Sequence, residues 1–232
     1  APAEFGPVGE VPILAWMTEH GNYRRLALTT LIRLPDDVDT ESLTTVLQIL
    51  LDSHDMLRAV LDDDGLRTRP PGSVAAGAIL RTCDGDPETE SRAALDEIDP
   101  AAGELVRVVR FTRDNVLLLA IHHLAVDPVS WHIILGDLAH HWTQLREGND
   151  PKPSVEFIGY RKWAELTRAR SGTAAVAAQR DYWIEQVTGP DPVLGARRPD
   201  PRTDTWGSYR LTPVPTPLPE GADPRTFLLA VL

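Results

Sequence analysis

The sequence predicts an α/β sandwich whose sheet is largely antiparallel or mixed. Two observations support this fold class. Segments with strand character alternate with segments whose apolar residues recur at helical spacing, and two pairs of strands are joined by short turns, which is typical of hairpins. The chain has 232 residues, of which 42% are hydrophobic. This amount of apolar material is sufficient for one or two cores.

The composition favours a soluble cytoplasmic protein and argues against several function classes. The formal net charge is −11, so the chain lacks the basic surface that binding to nucleic acid or anionic membranes requires. No apolar stretch approaches the roughly 20 residues of a membrane-spanning helix, and the N-terminus has no signal-peptide pattern. The single cysteine, Cys83, cannot form an internal disulfide, so we expect the protein in a reducing cytoplasm. We expect Cys83 itself to be an ordinary strand residue.

The first elements are a strand and an amphipathic helix. Residues 23–34 are rich in Leu, Thr and Ile and predict a strand that Pro35 closes. Asp39 is the expected N-cap of the helix that follows. The apolar stripe of this helix consists of Leu43, Val46, Leu47 and Leu50.

A hairpin, a strand and a capped helix come next. Residues 56–61 and 66–69 predict two strands around a turn at Asp64-Gly65. Residues 78–82 predict a further strand. Residues 87–98 predict a short helix, because Asp86 supplies an N-cap and Pro87 is favoured at the first helical position.

A second hairpin leads into the longest helix. Residues 105–112 and 116–123 predict two strands around a turn at Asp114-Asn115, and the second of these is apolar enough to be buried on both faces. A helix is expected from Pro128 to near Gly148. Its apolar stripe consists of Trp131, Ile134, Leu135, Leu138, Trp142 and Leu145.

The last part of the chain predicts two helices, a connector and the start of a third helix. The two helices cover residues 157–170 and 173–187, and a connector rich in Pro and Gly covers 189–201. Residues 206–211 predict a strand. Residues 224–232 resemble the opening of a helix with no polar continuation and no C-cap, so we expect a fragment of a longer protein.

The most informative residues are His122 and His123, where the buried strand meets the long helix. Because side chains alternate across a strand, the two imidazoles should face opposite ways if both belong to it. One would enter the interior beside Leu118 and Ala120. Adjacent strand residues rarely converge on one ion, so a shared metal is disfavoured. We therefore expect one histidine to act and the other to support it.

Asp127 and Pro128 should form the start of the long helix, with Asp127 as an N-cap and structural organiser. The free N–H groups of that first turn could stabilise a developing oxyanion. Ser130 is expected to be a polar residue of the first turn rather than a nucleophile. The other histidines are weaker candidates: we expect a local polar cap for His54, a position off the apolar stripe for His132, and solvated structural roles for His140 and His141.

Several motifs together resemble the condensation superfamily of nonribosomal peptide synthetases, and its epimerization branch in particular. Residues 122–127 are similar to the HHxxxDG signature, and residues 129–138 are similar to the branch's VSWRILLxDL run. Residues 53–58 resemble the (R/H)H(D/E)xLR segment, and residues 157–187 resemble the FxxWA…YW helices. Gly6 to Pro12 with Trp16 is similar to the opening motif. The resemblance covers nearly the whole chain.

This resemblance implies a chloramphenicol-acetyltransferase-like two-layer sandwich, with a mixed or antiparallel sheet flanked by helices. Residues 1–188 would be the N-terminal lobe, 189–223 a connector and strand, and 224–232 the truncated start of a second lobe. No bound cofactor is implied, because a partner carrier protein delivers the substrate thioester on its phosphopantetheine arm. Further partners are the missing C-terminal lobe and neighbouring synthetase domains.

In the epimerization branch the second histidine, here His123, is the acid/base candidate at the α-carbon of the aminoacyl or peptidyl thioester. A glutamate from the second lobe is its partner, so the fragment alone should be inactive. The supporting or structural positions are His122, Asp127, Ser130 and Trp131.

Pro128 departs from the family pattern, because it stands where the signature has glycine. Proline could not occupy a position that needs a positive φ angle, whereas it fits the start of a helix. Two other functions remain open from the sequence. One is a condensation domain that forms peptide bonds with the same histidine. The other is a catalytically silent domain of the same fold that recruits carrier proteins or tailoring enzymes.

Overall fold

The computed structural model describes residues 5–19, 21–154, 157–190, 192–193, 195–208, 215 and 217–231. In this part of the chain the strands are β1 (Gly6–Pro7), β2 (Ala27–Arg33), β3 (Val60–Asp62), β4 (Gly65–Thr68), β5 (Leu80–Cys83), β6 (Val106–Phe111) and β7 (Val116–His122). The α-helices are α1 (Pro12–Glu19), α2 (Thr40–Ser53), α3 (Ala76–Ile79), α4 (Pro87–Asp96), α5 (Ser130–Arg146), α6 (Tyr160–Ser171), α7 (Ala174–Ala177), α8 (Arg180–Val187) and α9 (Pro224–Val231).

The main sheet has four strands in the order β2-β7-β6-β5. Strands β2, β7 and β6 are antiparallel neighbours, whereas β5 runs parallel to β6, so the sheet is mixed. A smaller sheet in the order β1-β4-β3 contains the predicted first hairpin. The structure confirms the predicted α/β class, with mixed strand directions and helices around the sheet.

Strand β7 lies at the centre of the core. Its side chains alternate between two apolar clusters, as the geometry of a strand requires. Leu117, Leu119 and Ile121 belong to the larger cluster with α2 and α5, while Leu118 and Ala120 pack with residues of α4. The strand is hydrogen-bonded on both edges and is buried on both faces, as predicted.

Four helices of the described chain begin at the same kind of capped turn. An aspartate carboxylate accepts a hydrogen bond from the backbone N–H of a Ser or Thr three residues later, and from its hydroxyl as well. In three of the four turns a proline follows the aspartate. The pairs are Asp39 with Ser42, Asp86 with Thr89, Asp127 with Ser130, and Asp223 with Thr226.

The structure corrects the predicted strand at residues 23–34, because Tyr23–Arg25 forms a 3₁₀ helix. Asn22 adopts a left-handed conformation with φ of 45°, and the N–H of Leu26 then bonds the carbonyl of Tyr23 at 2.8 Å. The backbone therefore turns before β2 can begin.

Two further short helices replace predicted strand residues. Asp55–Arg58 forms a 3₁₀ helix in which the buried Arg58 side chain donates to the backbone carbonyls of Leu51 and His54. The strand predicted over residues 78–82 begins later, at Leu80, because α3 precedes it. The N–H of Ala76 in α3 donates to the Gln48 side chain at 2.8 Å, which supports the start of that helix.

The C-terminal half also departs from the expectations. The helix predicted over 173–187 is interrupted after α7, because the N–H of Gln179 bonds the carbonyl of Val176, a 3₁₀-type spacing that tightens the turn. Trp206–Ser208 is a 3₁₀ helix rather than a strand, and residues 209–211 lie outside the described residues. Among the described helices, none combines the length and the apolar character needed to cross a membrane.

Candidate functional site

The first histidine, His122, ends β7 and is completely buried. Its Nε2 lies 2.8 Å from the carbonyl oxygen of Tyr23, and its Nδ1 lies 3.0 Å from the backbone nitrogen of Leu124. A carbonyl only accepts and an amide N–H only donates, so Nε2 carries the proton and Nδ1 holds the lone pair. Burial lowers the pKa of His122 to about 4, against the opposing effect of the Tyr23 carbonyl. His122 is therefore a neutral residue with both ring nitrogens already bonded.

The second histidine, His123, is the first residue beyond β7 and is only partly buried. Its backbone N–H still pairs with the carbonyl of Leu26 at 2.8 Å. Its Nδ1 lies 2.7 Å from the carbonyl oxygen of Val126, which assigns the ring proton to Nδ1. The lone pair of Nε2 is then unused by the described part of the chain. A neutral imidazole in this state is a proton acceptor.

The connection from β7 to α5 is a tight, reciprocally bonded turn. The Asp127 carboxylate accepts from the N–H and the hydroxyl of Ser130, both at 2.7 Å, and the N–H of Asp127 donates back to the Ser130 hydroxyl at 3.1 Å. These bonds from Ser130 lower the pKa of Asp127. The turn holds the residues that follow His123 in one geometry.

Two N–H groups at the start of the helix are not free for an oxyanion. The Ser130 N–H points at the Asp127 carboxylate, and the Val129 backbone also interacts with that carboxylate. A negative charge of the protein itself therefore lies at the helix N-terminus and bonds these two N–H groups. The helix is assigned from Ser130, two residues later than expected.

Pro128 and Trp131 flank this turn. Pro128 is exposed and precedes α5. The non-glycine residues with positive φ in the described chain are Asn22 and Asn115, so residue 128 needs no left-handed conformation and a proline fits there. Trp131 is partly buried and packs against the larger apolar cluster.

Among the other described histidines, the expectation of a solvated role is wrong for His141. His54 is the C-cap residue of α2, where its backbone N–H bonds the Leu50 carbonyl at 3.3 Å, and its side chain in addition bonds Asp137 of α5 at 2.9 Å. His141 is not solvated: it is buried, and burial lowers its pKa. His132 and His140 are exposed. No group of three or more potential metal ligands exists among the described residues.

The segment that resembles (R/H)H(D/E)xLR has a structural role in this fold. Asp55 is buried, and its Oδ2 accepts from the N–H of Tyr160 at 2.9 Å, which caps α6. The hydroxyl of Ser53 accepts from the N–H of Ser154 at 2.9 Å. Helix α6 consequently begins at Tyr160 rather than at the predicted residue 157.

The sequence did not reveal the hydrogen-bond partners that determine the tautomers of the two imidazoles. These partners are the backbone groups of Tyr23, Leu124 and Val126. Backbone groups are present at every residue, so no residue type in the sequence marks their positions. The alternation argument applies only within the strand, and His123 lies just beyond the end of β7; the tautomer of each ring depends on where those carbonyls lie.

Comparison with known protein families matches residues 20–211 to the family described as "Condensation domain". Surfactin synthase subunit 1 of Bacillus subtilis is 32% identical over 200 residues, which is 78% of this chain and 6% of that protein. Tyrocidine synthase 1 of Brevibacillus parabrevis is 24% identical over 195 residues, which is 77% of this chain and 18% of that protein.

Solved structures share the fold at low sequence identity. The epimerization domain from the third module of tyrocidine synthetase B has a TM-score of 0.68 at 22% identity, over 82% of this chain and 47% of that one. The first condensation domain of the calcium-dependent antibiotic synthetase has 0.64 at 19%, over 83% and 51%. The X-domain from teicoplanin biosynthesis has 0.60 at 18%, over 77% and 42%. The chain therefore spans about half of these structures and a small part of the synthetases.

Proposed function

The chain belongs to the condensation domain family, and on this premise we propose that it is the N-terminal half of an epimerization domain of a nonribosomal peptide synthetase. Its reaction would interconvert the L and D configurations at the α-carbon of an aminoacyl or peptidyl thioester. The substrate would arrive on the phosphopantetheine arm of a carrier protein, so the domain itself would need no bound cofactor. The motifs at residues 129–138 and 157–187 support the epimerization branch.

The observation that carries this proposal is the state of His123. Its Nδ1–H is held by the Val126 carbonyl at 2.7 Å, and its Nε2 therefore has a lone pair available for a proton. His122 next to it has both nitrogens bonded to the backbone and is completely buried. We assign acid/base catalysis to His123. The structural and supporting roles belong to His122, Asp127, Ser130 and Trp131.

In the proposed reaction, Nε2 of His123 takes the α-proton of the bound thioester. The electron pair of the broken C–H bond is delocalised into the thioester carbonyl as an enolate. A second acid, which we place on a glutamate of the second lobe, then delivers a proton to the opposite side of the α-carbon. Each positioned acid/base group typically contributes about 10²–10⁴-fold to such a rate.

We also propose the domain division and partners that the family resemblance implies. Residues 1–188 would be the N-terminal lobe, 189–223 the connector, and 224–232 the beginning of a second lobe. Helix α9, which starts at Pro224 after the connector, supports this division. The partners would be the carrier protein, the second lobe and neighbouring synthetase domains. The single cysteine supports a cytoplasmic location.

The test is exchange of the α-proton with solvent. A protein that contains this chain and the second lobe is incubated in deuterium oxide with an L-aminoacyl thioester on a carrier protein. We expect deuterium at the α-carbon and a mixture of L and D products. His123→Gln should slow the exchange by at least about 10²-fold, whereas His132→Gln, at an exposed position of α5, should leave it unchanged.

Exchange that survives His123→Gln would show that the acid/base assignment is wrong. The 232-residue chain alone should give no exchange, because the second acid/base group would be missing. Exchange by this chain alone would contradict the proposed division of the active site between two lobes.

Condensation is the second candidate, and the likeness to the condensation domain of the calcium-dependent antibiotic synthetase favours it. In that function His123 would position or deprotonate the acceptor amine. The same two-lobe protein, supplied with donor and acceptor thioesters on separate carriers, would then form a peptide bond and leave the α-proton in place. Carrier binding without either reaction would indicate a silent recruiting domain.

A further inference from the structure

The turn before the carbonyls that bond both histidines contains two consecutive residues in left-handed conformation. Gly21 has φ of 51° and Asn22 has φ of 45°. Glycine adopts this conformation freely, and Asn tolerates it better than most residues with a side chain, so the sequence at these two positions favours a tight turn. The 3₁₀ helix Tyr23–Arg25 follows immediately. The positions of the carbonyls in this helix therefore depend on what holds the turn.

Both histidines donate a hydrogen bond to a backbone carbonyl that follows the Gly21–Asn22 turn. The carbonyl of Tyr23 accepts the Nε2–H of His122 at 2.8 Å, and the carbonyl of Leu26 accepts the backbone N–H of His123 at 2.8 Å. The two acceptors lie one and four residues after Asn22. A shift of the turn would move the partner of His122 and the end of β7 together.

The 3₁₀ helix Trp206–Ser208 packs against this turn from a distant part of the chain. The indole rings of Trp206 and Trp16 have centroids 4.4 Å apart, and the backbone nitrogen of Trp206 lies 3.4 Å from the carbonyl oxygen of Gly21. A Cβ at Gly207 would lie 2.1 Å from Nδ2 of Asn22, so the absence of a side chain permits the close approach.

The other contacts of the turn are weaker. Arg24 pairs with Asp99 at 3.0 Å and Arg25 pairs with Asp96 at 3.1 Å. Both pairs are largely exposed to water, and such pairs contribute about 0–1 kcal/mol each. The Trp206 indole, which is partly buried, packs on the Trp16 ring, and this contact fixes the position of the Trp206 backbone nitrogen that faces the Gly21 carbonyl.

We propose that Trp206 is a positioning residue, which holds the Gly21–Asn22 turn and thereby fixes the Tyr23 and Leu26 carbonyls that orient His122 and His123. This role rests on the proposed function only where it concerns catalysis; the effect on the histidines themselves is independent of any substrate. Trp206 acts through the backbone of the turn and not by direct contact with the reacting atoms.

Nuclear magnetic resonance of the 232-residue chain with ¹⁵N-labelled histidine tests this role. In the unaltered chain we expect His122 as a single Nε2–H tautomer with a pKa of about 4. Trp206→Ala should give mixed tautomers and a pKa at least about one unit higher, because water reaches the loosened ring. Trp206→Phe should restore most of the original signals, since it keeps an aromatic ring against Trp16.

The matched control is Trp183→Ala, which removes an exposed indole from α8. This variant should leave the His122 signals unchanged. If Trp206→Ala leaves the His122 tautomer and titration as they are, the proposal is overturned and Trp206 merely adds packing. If Trp206→Ala unfolds the chain, Trp206→Leu decides, because it keeps an apolar side chain but removes the ring contact with Trp16. Unchanged His122 signals in that variant would also overturn the proposal.

The result is separable from the test of the proposed function. A change at His122 can be observed whether or not the two-lobe protein exchanges α-protons. Conversely, unchanged histidine signals in Trp206→Ala would leave the acid/base assignment of His123 intact.

Discussion

The two adjacent histidines carry their protons on opposite ring nitrogens. His122 donates from Nε2 to the Tyr23 carbonyl, and His123 donates from Nδ1 to the Val126 carbonyl. Identical side chains therefore have different chemical states because of their backbone partners. His122 is closed to proton transfer by its two bonds and by complete burial, while His123 keeps Nε2 available.

Replacement of His122 by alanine should destabilise the fold by about 2–3 kcal/mol. The substitution leaves the buried Leu124 N–H without its acceptor and creates a cavity at the end of β7. His132→Ala, at an exposed position, should change the free energy of unfolding by less than about 0.5 kcal/mol. Urea unfolding of both variants measures this difference. Equal losses would refute a structural role for the His122 ring.

At the level of the helices, the capped turns explain the proline at position 128. In α4 and α9 the first helical residue is a proline that follows an aspartate, at Asp86-Pro87 and Asp223-Pro224. In this chain, then, a proline after the capping aspartate is a recurrent way to begin a helix, since its fixed φ angle suits the first turn. Pro128 likewise follows its aspartate, but α5 begins two residues later, at Ser130.

Asp127→Ala and Asp86→Ala form a matched pair of variants. Each removes a carboxylate that accepts from a backbone N–H three residues later, so each should cost about 1 kcal/mol of unfolding free energy. Only Asp127→Ala should also shift the resonances of the His123 ring, because the Val126 carbonyl that holds this ring is the neighbouring peptide group. Urea titration and histidine resonances measure the two effects. Equal ring shifts in both variants would argue against the link.

Elements with a repeated pattern were predictable, and elements made by distant contacts were not. Helix α2 and its Asp39 cap follow from apolar spacing and a capping residue, and β7 follows from its continuous apolar run. The 3₁₀ helices Tyr23–Arg25 and Trp206–Ser208 are too short for any periodicity. The two 3₁₀ helices contact each other, and the first also bonds His122, although these residues are far apart in the sequence. Local sequence patterns do not contain information about such distant contacts.

For the whole molecule, stability should depend on pH through its buried histidines. The pKa of His122 is about 4 in the folded chain and about 6.5 when exposed. Between these values the unfolded chain binds more protons, so the free energy of unfolding falls as the pH falls from 6.5 to 4. The pKa of His141 is lowered by burial as well and acts in the same direction.

The decrease in the free energy of unfolding that is due to His122 should approach about 3 kcal/mol between pH 6.5 and pH 4. Urea unfolding at a series of pH values measures it. The His122→Asn side chain cannot titrate in this interval, so the free energy of unfolding of this variant should vary less with pH than that of the unaltered chain. The remaining slope comes from His141 and from aspartates with a lowered pKa, such as Asp39 and Asp127. Parallel profiles for the two proteins would contradict the burial of a neutral His122.

Strand β7 has a consequence for the order in which parts of the molecule open. It is paired on both edges and buried on both faces, whereas helix α8 has no buried residue. Local unfolding begins where few apolar contacts oppose it, so helices such as α8 open at low cost and central strands open only with the whole domain. The backbone that carries His122 therefore belongs to the slowest-exchanging amides, and the chemistry is anchored in the part of the fold that fluctuates least.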